Sequence, residues 1–174
     1  EINKISELAK SYNLKLIEDC SQSHGAKFDG KFVGSYADIS TWSFCNDKIM
    51  STGGEGGMVS VKELEYFPKI WSYRDHGKDK KLLDNISKNS NFKWLHSNFG
   101  TNIRMTEIQS AIGRFQLEKL DKWIKKRTNN ANIFISYLSN ISCVRVPVPD
   151  QKHRPAWYKF YCYVVPEALN SEWN

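Results

Sequence analysis

Lys48 stands between an apolar run and a glycine-rich stretch, in the segment SFCNDKIMSTGGEGG. Partial desolvation in such a setting lowers the pKa of a lysine and frees its amine to attack a carbonyl group. Ser43 lies five residues earlier and has a hydroxyl able to bind a phosphate oxygen. Taken alone, however, a lysine is far more often a solvated surface residue than a nucleophile. The glycines by themselves favour an ordinary β-turn.

Asp19 closes a different apolar segment, LKLIED. A buried carboxylate needs a cationic or hydrogen-bonding partner, and the protonated nitrogen of a pyridine ring would serve. That pairing keeps the ring cationic, so that the ring can withdraw electrons from a carbanion. Gln22, three residues further on, could donate a hydrogen bond to a phenolic oxygen of such a ring. The competing interpretation makes Asp19 a helix or turn cap and leaves Gln22 without a function.

The hydrophobic pattern predicts the elements that must position these side chains. Apolar residues at steps of three and four predict a first helix that stops near Asn13, and short apolar runs predict strands. We expect, in order, a helix over 2–12, strands over 14–19, 39–44 and 58–61, and a helix over 63–75 interrupted by Pro68. Asp19 and Lys48 then each follow the carboxyl end of a strand, where α/β sheets bind ligands.

The second half of the chain is predicted to contain two helices followed by β-like segments. Residues 76–100 are polar and aperiodic, which predicts a long surface loop. A capping-box pattern at Thr106 predicts the start of a helix, and a second helix is expected over 120–138. The expected buried stripe of that second helix is Trp123, Ile124, Ala131, Ile135 and Leu138. β-like runs follow Ser142, separated by the polar segment DQKHRP, and the last run, WYKFYCYVV, is expected to form a half-buried strand.

Composition narrows the class of protein. The chain has 174 residues, of which 40% are hydrophobic, so it can build a core. No long apolar segment suggests a membrane span or a secretory leader, and we expect a cytoplasmic protein. The net charge of +6 is scattered, which argues against a nucleic-acid partner. The four cysteines are far apart, which indicates free thiols and no metal site.

Several ordered blocks resemble one known family. The stretch EDCSQSHGAKFDGKFVGSYADISTWSFCNDKIMSTGGEGGMVS is similar to the sugar aminotransferases of the DegT/DnrJ/EryC1/StrS family, and RDHG and FGTNIRMTEIQSAIGRFQLEKLDKW match later blocks of that family. The resemblance implies an α/β fold: part of the mixed-sheet large domain of a fold-type-I pyridoxal-phosphate transferase, with the start of a small α+β domain. The expected divisions are 1–120 for the partial large domain, 121–142 for a linking helix and 143–174 for the small domain.

The resemblance also implies roles for the residues at the two strand ends. Lys48 would form the Schiff base with pyridoxal 5'-phosphate and then move the proton between substrate and cofactor. Asp19 would pair with the pyridine nitrogen, and Gln22 would approach the phenolic oxygen. Ser43 would bind the phosphate, and Ser21 would lie against one face of the ring.

Three further positions match the later motif blocks. Asn102 would reach the cofactor phosphate of the neighbouring subunit in a homodimer. His76 and Arg104 also match motif positions, and for them structural or interface roles stand beside functional ones. The implied reaction moves an amino group from glutamate to a nucleotide-linked keto sugar. Some relatives carry histidine at the lysine position and act as dehydratases, so Lys48 favours transamination. Dehydration, epimerisation and a non-enzymatic regulatory role stay open as alternatives.

Members of this family are considerably longer at both ends. The sequence therefore predicts a fragment that is inactive by itself, since only one ring face and part of the phosphate cradle are found. We expect it to bind the cofactor weakly or not at all. We also expect it to self-associate through exposed sheet edges and an unpaired dimer surface.

Overall fold

The computed structural model describes residues 1–84 and 96–170. Five α-helices, eight short strands and two 3-10 turns occur in the described part of the chain. The helices are α1 Ile2–Ser11, α2 Phe67–Arg74, α3 Lys80–Asp84, α4 Glu107–Leu117 and α5 Leu120–Leu138. The strands are β1 Ile17–Asp19, β2 Lys27–Phe28, β3 Lys31–Phe32, β4 Ile39–Ser43, β5 Gly57–Val61, β6 Val144–Arg145, β7 His153–Arg154 and β8 Tyr163–Val164. The 3-10 turns are Leu64–Tyr66 and Pro166–Ala168.

A mixed three-stranded sheet, in the order β1-β4-β5, carries the two strand ends of interest. β1 runs parallel to β4, with Ile17 opposite Ile39 and Asp19 opposite Thr41. β5 returns antiparallel to β4. Because β1 and β4 are parallel, their carboxyl ends lie at the same edge of the sheet. The predicted α/β architecture with a mixed sheet is confirmed.

The helices follow the predicted periods closely. α1 ends before Asn13, whose φ of 52° places it in the left-handed region that stops a helix. α4 begins with the predicted capping box, in which the Thr106 hydroxyl accepts from the Gln109 backbone N–H and the Gln109 side chain accepts from the Thr106 N–H. α5 spans the predicted range, and Ile124 and Ala131 are its buried residues.

Pro68 does not interrupt the helical segment predicted over residues 63–75. A 3-10 turn precedes α2, and Pro68 lies in the first turn of α2. The missing backbone N–H of a proline costs nothing at that place, because the first helical N–H groups have no partner within the helix.

Residues 27–32, over which no strand was predicted, form the hairpin β2–β3. Asp29 and Gly30 turn the chain with φ values of 47° and 78°, the left-handed pair that a tight hairpin needs. β7 pairs with β2 on the other side. The polar segment around His153 is therefore part of a second small sheet, and the expectation that it only separates two strands is wrong.

Two other expectations are corrected. The predicted loop over residues 76–100 contains α3 and a β-bridge between Lys78 and His96, while residues 85–95 lie outside the described part. The strand predicted over residues 157–165 is reduced to β8, whose residues are exposed. Trp157 has a φ of 52°, which is incompatible with extended backbone, so the run cannot continue as one strand.

A small core lies under the hairpin and the long helix. Its buried members are Ala26, Ile49, Ile124 and Ala156. Ile49 directly follows Lys48, and Ala156 comes from the segment after β7, so the core joins the lysine loop to the last quarter of the chain. None of the described helices is long and apolar enough to cross a membrane.

Candidate functional site

Asp19 is the last residue of β1 and lies opposite Thr41 of β4. Its Oδ1 accepts hydrogen bonds from the backbone N–H of Ser21 at 2.9 Å and from the Ser21 hydroxyl at 2.6 Å. These two bonds lower the pKa of Asp19, with smaller contributions from the Thr41 hydroxyl and the charge of Lys48. Asp19 is therefore an exposed, ionised carboxylate at neutral pH.

Ser43 ends β4, and the glycine-rich loop closes directly after it. The Phe44 N–H donates to the Gly56 carbonyl at 2.8 Å, and the Thr52 N–H donates to the Phe44 carbonyl at 3.2 Å. Thr41 and Ser43 are two residues apart on one strand, so their side chains lie on the same face of the sheet. The Ser43 hydroxyl is thus on the face where Thr41 meets Asp19.

The loop requires glycine at position 56. A Cβ added there would lie 2.2 Å from Thr52 Oγ1, and Thr52 is fully buried. Gly53 and Gly54 have φ values of 79° and 145°, which also favour glycine. The glycines therefore shape the loop that carries Lys48.

Lys48 is largely enclosed, with 14% of its side chain exposed. Its Nζ lies 3.6 Å from Asp47 Oδ1 and 5.0 Å from the centre of the Tyr158 ring. Burial acts to lower the pKa of Lys48, but the charge of Asp47 and the contact with Tyr158 outweigh burial and raise it. The expectation of a lowered pKa is wrong for this arrangement, because the sequence pattern does not reveal the neighbouring anion.

The charges of Lys48 and Asp19 act on each other across the sheet edge. The Lys48 charge contributes to the lowered pKa of Asp19. Burial and, to a smaller extent, the same charge lower the pKa of His24, whose ring lies 5.6 Å from that of Trp42 and 5.8 Å from that of Phe44. The amine and the carboxylate thus belong to one charged neighbourhood at the carboxyl edge of the sheet.

Gln22 and Asn102 are exposed residues, and Asn102 belongs to a separate group. Its backbone forms an antiparallel bridge with Asp75, and the Ile103 N–H donates to the Arg74 carbonyl at 3.1 Å. Arg104 forms an ion pair with Asp75. The motif blocks RDHG and TNIR therefore meet in space and form one structural unit.

His76 belongs to the same unit. Its φ of 57° turns the chain, its N–H donates to the Thr101 carbonyl at 3.1 Å, and its carbonyl oxygen lies 2.7 Å from Nδ1 of His96. These contacts, together with the Arg104–Asp75 pair, give both motif residues structural roles.

The donor set at the sheet edge suits a phosphorylated pyridine aldehyde. The amine of Lys48 matches the aldehyde, the ionised carboxylate of Asp19 matches a protonated ring nitrogen, and the hydroxyl of Ser43 matches a phosphate oxygen. No group of three or more metal-binding side chains occurs within residues 1–84 and 96–170. The amine, the carboxylate and the hydroxyl at the sheet edge fit pyridoxal 5'-phosphate.

Sequence reasoning missed three residues of this neighbourhood. Thr41 was detectable, since it shares a strand face with Ser43 and a parallel register would bring it opposite Asp19. Asp47 and Tyr158 were not, because the hydrogen bond from the Tyr158 hydroxyl to the Asp47 carboxylate spans 111 positions of sequence.

The chain is similar in sequence to known proteins. The chain is 35% identical over 153 residues to the GDP-perosamine synthase of Escherichia coli O157:H7. The aligned region covers 88% of this chain and 39% of that protein. It is 29% identical over 160 residues to the dTDP-3-amino-3,4,6-trideoxy-alpha-D-glucose transaminase of Streptomyces venezuelae, which covers 92% of the chain and 39% of that protein. The chain thus spans about two fifths of the length of these relatives.

Solved structures share the fold. The aminotransferase from Psychrobacter cryohalolentis superposes with a TM-score of 0.90 at 41% identity, over 99% of this chain and 46% of that one. DesV of S. venezuelae, solved with a ketimine intermediate, gives a TM-score of 0.81 at 28% identity, over 94% of this chain and 41% of that one. These neighbours confirm the predicted fold class. The family model matches residues 1–172, and the chain therefore belongs to the DegT/DnrJ/EryC1/StrS aminotransferase family.

Proposed function

We propose that this chain supplies the lysine and the ring-binding carboxylate of a pyridoxal 5'-phosphate site in a sugar aminotransferase. The enzyme would transfer an amino group from glutamate to a nucleotide-linked keto sugar. The proposal is supported by the parallel pairing of β1 and β4, which puts Asp19 and the loop that carries Lys48 at the same edge of the sheet, and by the effect of the Lys48 charge on the pKa of Asp19. The printed names of the relatives, a GDP-perosamine synthase and a dTDP-amino-sugar transaminase, support amination of a nucleotide sugar.

Each of these residues has a defined role in this proposal. Pyridoxal 5'-phosphate, when bound, supplies an aldehyde and an electron-withdrawing ring. Asp19 accepts the hydrogen bond of the protonated ring nitrogen, and Ser21 keeps this carboxylate ionised. Ser43 donates its hydroxyl to the phosphate, and Gln22 donates to the phenolic oxygen. Lys48 Nζ would bind the aldehyde carbon and would move the proton between substrate and cofactor.

A homodimer completes the site. Asn102 is exposed and its backbone is bridged to Asp75, which suits a residue that binds the phosphate in the neighbouring subunit. Ser21 would lie against one face of the ring, as the family resemblance implies. Glutamate, the keto sugar and the second subunit are the partners of this proposal.

Borohydride trapping tests the cofactor site directly on this chain. Reduction fixes even a weakly held pyridoxal group to its lysine, and peptide mass spectrometry then locates it. We expect Lys48 to carry the pyridoxyl group in preference to the exposed lysines. Lys48→Ala should abolish the preferred modification, whereas Lys4→Ala, on the exposed face of α1, should not. Modification spread evenly over the lysines would contradict the proposal.

The amination itself is tested with the complete gene product. Nucleotide keto sugars are incubated with glutamate and the loaded protein, and the products are separated by mass. We expect an amino sugar together with 2-oxoglutarate. A dehydrated or epimerised sugar without consumption of glutamate would instead support the alternative reactions.

A further inference from the structure

Lys48 is held by two residues that the proposed cofactor chemistry does not use. Asp47, its chain neighbour, places Oδ1 at 3.6 Å from Lys48 Nζ. The Tyr158 ring lies 5.0 Å from the same nitrogen, and its hydroxyl donates to Oδ2 of Asp47. The ammonium group therefore has an anion beside it and an aromatic ring near it, both of which favour the charged form.

The position of Tyr158 is fixed by the fold. The Arg127 guanidinium, on α5, donates from Nη1 to the carbonyl of Trp157 at 3.0 Å and to that of Tyr158 at 3.4 Å. Ala156 is buried in the core, and Tyr158 packs against the same core. The left-handed φ of Trp157 turns the chain between these two residues. Tyr158 is thus anchored at its backbone and along its ring.

The charged and titratable groups around Lys48 come from four parts of the chain. Asp47 precedes it in the loop, and Tyr158 reaches it from the segment after β7. Asp19 at the end of β1 interacts with its charge, as does His24 from the turn that follows β1. Lys159 lies 5.3 Å from the centre of the Tyr158 ring. Of these groups, Asp47 is the one that forms an ion pair with Lys48.

We propose that Asp47 and Tyr158 are positioning residues that form a latch on Lys48, which keeps its amine charged and directed at Asp47 until the cofactor enters. An ammonium nitrogen has no free electron pair. Lys48 Nζ must therefore release a proton to water before it can bond to an aldehyde carbon, whose oxygen leaves as water. The latch makes this engagement slower at neutral pH than at alkaline pH. The effect of the latch on cofactor binding rests on the proposed function, whereas the contacts that form the latch do not.

Trace acetylation tests the latch without any cofactor. Acetic anhydride reacts only with uncharged amines, so the pH dependence of labelling, followed lysine by lysine with mass spectrometry, gives the pKa of each amine. We expect Lys48 to label more slowly at pH 8 in the wild-type chain than in variants that remove the latch. Asp47→Asn should increase Lys48 labelling about fivefold at pH 8, because it removes the anion 3.6 Å from Nζ that favours the charged amine. Tyr158→Phe, which keeps the ring, should increase it less.

A third variant, remote from Lys48 in sequence, serves as the control. Asp29→Asn, an exposed aspartate in the β2–β3 turn, should leave Lys48 labelling unchanged, and the other lysines report whether each variant is folded. An unchanged Lys48 profile in Asp47→Asn or in Tyr158→Phe overturns the latch, and so does an equal increase in Asp29→Asn. If the latch responds as expected but borohydride never traps pyridoxal on Lys48, then the proposed function fails and the latch stands.

Discussion

Asp75 connects the two motif blocks RDHG and TNIR. It is a buried carboxylate, 7% exposed, with Lys78 Nζ at 3.0 Å and an ion pair to Arg104. Burial acts to raise the pKa of Asp75, but the hydrogen bond and charge of Lys78 and the charge of Arg104 outweigh burial and lower it. Because the Asp75 backbone pairs with Asn102, this charge cluster also fixes the residue proposed to reach the neighbouring subunit.

Asp75→Asn should destabilise the chain by about 2–3 kcal/mol at pH 7, because it removes charged hydrogen bonds at a buried position. A lowered folded pKa means that the carboxylate stabilises the fold above its unfolded pKa, near 3.9, and that this stability is lost as the pH falls through the folded pKa. The difference between wild type and variant in urea midpoint should therefore shrink between pH 6 and pH 3. A difference that stays constant over that range would contradict the assignment.

At the residue scale, the sequence predicts candidate residues near strand ends, but it does not predict contacts between residues that are distant in sequence. Asp19, Ser43 and Lys48 could be predicted as candidates because Asp19 and Ser43 each end a strand and Lys48 lies in the loop that follows β4. The predicted direction of the Lys48 pKa shift was wrong, because the shift depends on the direction of the Asp47 side chain and on the position of Tyr158. Neither property has a local signal. The cofactor-binding roles of all six candidate residues remain predictions, and those of Ser21, Gln22 and Asn102 rest on family resemblance alone.

At the scale of secondary-structure elements, the length of an element decides whether the sequence predicts it. α4 and α5 cover several turns, so their apolar stripes and the capping box specify them before any tertiary contact forms. β2, β3 and β7 have two residues each and no readable alternation. They exist because the Asp29-Gly30 turn and the core beneath it hold the chain in register.

Gly25 links that hairpin to α5, and replacing it should show how closely they pack. Its φ is 74°, and an added Cβ would lie 2.2 Å from Cδ1 of buried Ile124. Gly30 has a similar φ of 78° with nothing within 4 Å, which makes it a matched control. Both alanine variants should lose about 1–2 kcal/mol from the left-handed conformation, and Gly25→Ala should lose about 1–3 kcal/mol more from overpacking. Urea unfolding measures both values.

A double variant separates the clash from backbone strain. Ile124→Val removes the Cδ1 that an alanine at position 25 would meet. Gly25→Ala combined with Ile124→Val should therefore be less destabilised than the sum of the two single variants. Strict additivity, or equal losses in Gly25→Ala and Gly30→Ala, would show that the hairpin does not pack on Ile124 as described.

At the scale of the whole molecule, a large apolar surface lies outside the core. Large side chains that are mostly exposed include Leu64 at 82%, Phe99 at 98% and Ile108 at 76%. A broad groove of about 1560 Å³ runs over the face formed by β4, β5 and α2, with Trp42, Met58 and Trp71 among its lining residues. Exposed apolar surface of this extent is typical of a protein–protein interface. The division into a large and a small domain near residue 143 remains a prediction, although Ala156 and Tyr158 pack on the core around Ile124.

The chain should therefore self-associate. Sedimentation velocity should show species larger than a monomer whose share grows with protein concentration, with little change on adding salt, because apolar contacts are not screened. Phe99→Asp should shift the distribution towards monomer, whereas Tyr12→Asp, at the exposed end of α1, should not. A strictly monomeric chain at all concentrations would rule out this expectation.

The central claim is that Lys48 and Asp19 contact one small molecule together. A crystal structure of the chain after borohydride reduction with pyridoxal 5'-phosphate tests it most directly. The account predicts a covalent bond from Lys48 Nζ to the former aldehyde carbon and a carboxylate oxygen of Asp19 at about 2.7–2.9 Å from the ring nitrogen. A ring attached to Lys48 whose nitrogen faces away from Asp19, or a ring attached to another lysine, would contradict the account.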